Sequence, residues 1–98
     1  MNAARTQLFY MANLGSEVGR LCAASERSEV EAQAPLKRCL NIIDDYARVE
    51  TVPSHMQEIA VLSDVLKDIA HRGRRFQVSS DELDSYFAPF AARLLAHQ

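Results

Sequence analysis

The sequence predicts an all-α fold: one domain over residues 1–98, built as a four-helix up-down-up-down antiparallel bundle. Two observations lead there. Four stretches carry apolar residues at three-to-four spacing, the period of one face of an α-helix. The 98-residue chain is 48% hydrophobic with three Gly, three Pro and no Trp, which suits helices and leaves little turn material for a sheet. A chain of this size buries roughly 60–65% of the surface it exposes when unfolded, enough for one core. Helices of about 15 to 20 residues on short connections favour antiparallel neighbours.

The first helix is expected from about Arg5 to Ser25. Leu8, Met11, Leu14, Gly15, Val18, Leu21 and Cys22 fall in a stripe about 140° wide at ~100° per residue. Gly15 and Gly19 lie one turn apart in it, and each costs ~1 kcal/mol relative to Ala, so a closely approaching helix is expected over them. Ser28 and Glu31 have the S-x-x-E form of a capping box and open a second helix there, with Ala34-Pro35 as the alternative start because Pro35 would fall in the second turn. Leu36, Cys39, Leu40, Ile43, Tyr46 and Ala47 form its face, ending before a turn over residues 49–54. Pro53 and Ser54 open the third helix, with Ser54 and Gln57 spaced as a second capping box. Its face is Ile59, Leu62, Val65, Leu66, Ile69 and Ala70, and Gly73 stands where a helix stops. After the polar link at residues 71–78, Ser79 to Glu82 read as a cap with two acids in the first turn. Leu83, Phe87, Phe90, Ala91 and Leu94 form the last stripe, which Pro89 bends without ending.

Charge excludes some functions. Eleven basic against thirteen acidic residues give a net charge of -2, so no global basic field gathers nucleic acid or anionic membrane. No apolar run approaches the roughly 18 residues of a spanning helix, and residues 1–5 lack the pattern of a secretory signal, which predicts a cytoplasmic protein without membrane attachment. Cys22 and Cys39 fall on apolar faces and are expected to be buried free thiols, able to meet only if the first turn centres near residue 30.

Three constellations bear on chemistry. Asp64, Asp68 and His71 share one face of the third helix, but they are half of a di-metal motif, and a solvated face with no metal or cofactor is expected. His71, Arg72, Arg74, Arg75 and Phe76 could clamp a phosphate and stack a base, which makes Arg72, Arg74 and Arg75 the anion-binding candidates; basic residues also gather at the negative end of a helix dipole for that reason alone. Arg48 and His55, with six residues between them, resemble the Arg-x4-6-His signature of the helical HEPN ribonucleases, a family in which the pair lies at a dimer interface and acts on RNA. Here the pair brackets Val52-Pro53, a predicted turn, and Val49 replaces the polar residue that usually follows the Arg. No Ser/His/Asp arrangement, Gly-rich phosphate loop, CxxC pair or nucleotide fingerprint is present, so no enzyme activity is expected.

The runs Leu8 to Val18, Leu40 to Asp44, Glu58 to Asp68 and Tyr86 to Leu94 are similar to a group of small, uncharacterised bacterial helical proteins. The resemblance covers most of the chain, rests on helix-packing residues and implies the bundle without an activity.

Each helix also carries an apolar residue off its own stripe: Phe9, Ile42, Val61 and Leu95. Phe9 lies nearly opposite the centre of the first core face and Tyr10 sits at its edge. This surplus predicts a homodimeric protein-protein interaction module with Phe9 and Tyr10 in the interface. Binding of nucleic acid or a phosphate ligand through residues 71–76 is the alternative.

Overall fold

Ser28 ends one helix and starts the next. In a computed structural model that describes residues 3–73 and 75–96, its N–H closes α1 (Ala3–Arg27) on the Ala24 carbonyl at 3.1 Å, while its hydroxyl accepts the Glu31 N–H at 3.1 Å to open α2 (Glu29–Val49). Of the two starts the sequence allowed for α2, the one at Ser28 is therefore used. Pro35 sits inside the helix and removes one N–H from its ladder, and its ring is buried beside Ala32 and Leu36. Two further helices follow, α3 (Pro53–Ala70) and α4 (Ser80–Ala96). No strand occurs among the described residues.

The opening of α4 is the complete capping box of this chain. The Glu82 N–H donates to the Ser79 hydroxyl at 3.0 Å and the Ser79 N–H to the Glu82 carboxylate at 3.2 Å, so two otherwise orphaned donors are satisfied reciprocally. Pro89 leaves the helix unbroken to Ala96. The expected box at Ser54 and Gln57 does not form: the cap residue of α3 is Val52, which offers no side-chain acceptor.

Helix directions follow from residues that meet. Arg38 donates to Glu17 at 2.9 Å and Tyr46 stacks on Tyr10, so α1 and α2 run antiparallel. Glu50 bonds His55 and Phe87 packs on Gly15 while Asp84 lies by Cys22, which sets α3 against α2 and α4 against α1. The result is an all-α four-helix bundle with α1 at its centre. Helix α1 packs against the other three, whereas no Cα atoms of α3 and α4 come within 8 Å among the described residues.

The core is a single cluster in which Met11, Leu14, Val18 and Leu21 of α1 meet Leu36, Cys39, Ile43 and Tyr46, then Ile59, Leu62 and Leu66, then Leu83 and Phe87. Each such side chain removed from water contributes about 1.5–3 kcal/mol, so the four from α1 alone carry a large share of folding. Both cysteines are buried and free. Burial pushes the Cys22 thiol up, helped by Asp84 and Glu26, and pushes Cys39 up to about 12, so neither is a ready nucleophile. The turn at Ser28 lies short of residue 30, where the two would have met.

The two α1 glycines part ways. A Cβ on Gly15 would lie 2.8 Å from Phe87 Cβ, so the close approach expected there is real and belongs to α4. At Gly19 a Cβ would meet nothing within 4 Å. Gly15→Ala should therefore destabilise the fold by about 1–3 kcal/mol through overpacking. Gly19→Ala should stabilise it by about 0.5–1 kcal/mol through helix propensity. Urea unfolding followed by circular dichroism reads both signs.

Candidate functional site

Where α2 gives way to α3, a buried carboxylate organises the chain. Glu50 follows the last turn of α2, its side chain only 3% exposed. Its Oε1 accepts the Thr51 and Val52 N–H groups, both at 2.9 Å, and its Oε2 accepts the Tyr46 hydroxyl at 2.5 Å and pairs with His55 Nδ1 at 3.1 Å. Four donors fill both oxygens. Burial opposes the charge on this group, yet the hydrogen bonds from Tyr46, the Val52 N–H, His55 and the Thr51 N–H outweigh it and hold the carboxyl at about 2. For Tyr46 the same burial, together with its bond to Glu50 and that charge, pushes the phenol up.

An aromatic ladder rises from this node to the surface. Tyr10 of α1 stacks on Tyr46 at 5.2 Å between centroids with planes 6° apart, and Phe9 meets Tyr10 edge-on at 5.4 Å. Tyr10 is half-buried and Phe9 is 51% exposed, in the order their angles on the helix implied. Thr6, Phe9, Tyr10 and Val49 line a cleft of about 350 Å³. Of the other off-stripe residues, Val61 and Leu95 are 57% and 68% exposed, whereas Ile42 packs against the core.

The second region is the end of α3. His71 caps the helix, Arg72 follows in the left-handed region at φ 56°, and the Arg72 and Gly73 N–H groups return to the carbonyls of Ile69 and Asp68 at 3.0 and 2.8 Å. This is a Schellman motif shifted one residue from expectation: Arg72, not Gly73, takes the left-handed position. Gly73 is needed for a different reason, because a Cβ there would collide with the Asp68 carboxylate, whose other oxygen accepts the Phe76 N–H. The Arg75 guanidinium lies 5.0 Å over the Phe76 ring.

Asp64, Lys67, Asp68, His71, Arg75 and Phe76 line one open cleft of about 300 Å³, so the acidic face meets Arg75 of the basic loop there, while Arg72 is not among the lining residues. Two carboxylates dilute whatever positive field the loop offers an anion. No three side chains able to ligate a metal converge among the described residues. Arg74, one of the anion-binding candidates, lies outside the described residues.

The Arg48 and His55 pair is not assembled as a joint site. Arg48 bonds Asp45 at 3.1 Å on the exposed side of α2, and His55 is turned to Glu50 in the first turn of α3. Comparison with protein-family models, with curated proteins and with solved structures gives no match for this chain.

Because its folded pKa is depressed, Glu50 contributes stability fully above its ordinary value of 4.5 and loses it as pH falls toward about 2. Glu50→Gln should remove that part of the acid-induced loss, so that thermal melting of the two proteins differs most above pH 4.5 and converges toward pH 2. Arg72→Gly should raise stability by about 0.5–1 kcal/mol, since Gly occupies the left-handed region without steric cost. Urea unfolding checks this, and an unchanged or lowered midpoint would count against strain at Arg72.

Proposed function

We propose that this chain is a homodimeric helical protein-protein interaction module whose two copies join through the α1 and α2 face that carries Phe9 and Tyr10. The observation that carries this is the half-exposed Phe9 ring standing beside the cleft that it, Thr6, Tyr10 and Val49 line. A two-fold interface uses the same patch on both copies, so that patch must contain both a projection and a recess. Phe9 supplies the first and the cleft the second. Tyr10 is held from beneath by Tyr46, so the recess is rigid before association and little side-chain entropy remains to be lost. A net charge of only -2 per chain leaves weak repulsion between copies.

The module works by binding, without catalysis or a cofactor, in the reducing cytoplasm, where two free buried thiols persist. No helix among the described residues is long and apolar enough to cross a membrane. A second reading, anion or nucleic-acid binding at residues 71–76, is supported by Arg75 stacked on Phe76, and is weakened by Asp64 and Asp68 in the same cleft.

Phe9→Ser is the cleanest probe, because Tyr10→Ser would also remove the stack on Tyr46. Light scattering during size-exclusion chromatography should show a dimer for the parent chain and a monomer for Phe9→Ser, with helical circular dichroism unchanged. A parent chain that is monomeric throughout would rule the proposal out, and a salt-sensitive shift of labelled RNA by the same preparation would favour the second reading.

A further inference from the structure

Glu50 fixes the chemistry of His55. A charged carboxylate can only accept hydrogen bonds, so the His55 Nδ1 it meets at 3.1 Å carries the proton. The lone pair is then on Nε2. About 30% of the His55 side chain is open to solvent. The carboxylate is itself immobilised by the Tyr46 hydroxyl and two backbone N–H groups, which makes it a rigid orienting group. A base or nucleophile held by a second group that is held by a third is the arrangement by which imidazoles are activated. His55 also lies in the first turn of α3, which contains no acid of its own, so the positive end of that helix partly offsets the Glu50 charge beside the ring.

We propose that His55 is a phosphoryl-accepting residue, its Nε2 taking the phosphoryl group from a small-molecule or protein donor of high transfer potential. In the step, the Nε2 lone pair attacks phosphorus and a P–N bond forms. The donor's bond to phosphorus breaks, and its leaving group departs with the electron pair: a carboxylate from an acyl phosphate, ammonia from phosphoramidate. The proton on Nδ1 stays in place, and Glu50 faces the positive charge that the imidazole acquires. No oxidant, metal or additional base is required. The proposal does not rest on the homodimer.

His71 is the internal reference. It is exposed at the end of α3 and has no carboxylate on its ring among the described residues. The intact protein would be treated with phosphoramidate and, separately, with acetyl phosphate, and the acid-labile phosphoryl group located by mass spectrometry and phosphorus NMR. His55 should be modified at Nε2 at least about tenfold faster than His71, as an oriented imidazole exceeds a free one. His55→Gln should abolish the fast phase, and Glu50→Gln, shown to be folded by circular dichroism, should lower His55 to the His71 rate. Reaction with either donor supports the proposal, and the donor that reacts identifies the leaving group accepted. A His55 that reacts no faster than His71 in the parent chain with both donors, or that reacts at Nδ1, overturns it; that comparison needs no variant to fold.

Discussion

The apolar stripe of α1 is the one surface on which the other three helices all depend. Met11, Leu14, Val18 and Leu21 are almost wholly withdrawn from water, and each partner helix contributes residues that close over them. Hydrophobic burial has no direction of its own, so what converts it into one arrangement is local steric detail. Phe87 lodges on the bare backbone at Gly15 and so fixes where α4 crosses α1. The Arg38 bond to Glu17 adds little energy at the surface, but it holds α1 and α2 at one offset, while Arg20 bonds the same carboxylate from within α1.

Glu50 does the corresponding work in polar chemistry. A buried carboxylate is costly unless every lone pair is used, and here four donors use them. The same residue ends one helix, ties down the connection to the next, anchors Tyr46 beneath Tyr10 and orients His55. The aromatic face and the imidazole are thus two outputs of one node: a change at Glu50 would disturb both, whereas a change at Phe9 would leave the node intact.

Much of this architecture was legible from periodicity. The angular position of each residue on its helix placed nearly all of the core and set Phe9 and Tyr10 at the surface. Ser28 was legible because a cap is a local interaction between residues three apart. Less was legible where the outcome depends on what another element brings. Gly15 and Gly19 are equivalent by spacing, and only the crossing of α4 distinguishes them. Glu50 reads in the sequence as one more acid before a turn; its partners at positions 46 and 55 were the available signal, and their meaning appears only once the turn folds back. The stop signal at Gly73 pointed to the right place, one residue past the left-handed position, which Arg72 takes.

Helix α4 rests on α1 and has no backbone neighbour in α3 among the described residues. Local opening of α4 breaks a single helix interface, whereas α3 is held by both α1 and α2. Such an opening would bare the groove around Gly15 and leave a three-helix remnant with an apolar flank. Leu83 and Phe87 close that flank in the folded chain, and the phenylalanine seats α4 against the bare backbone of Gly15.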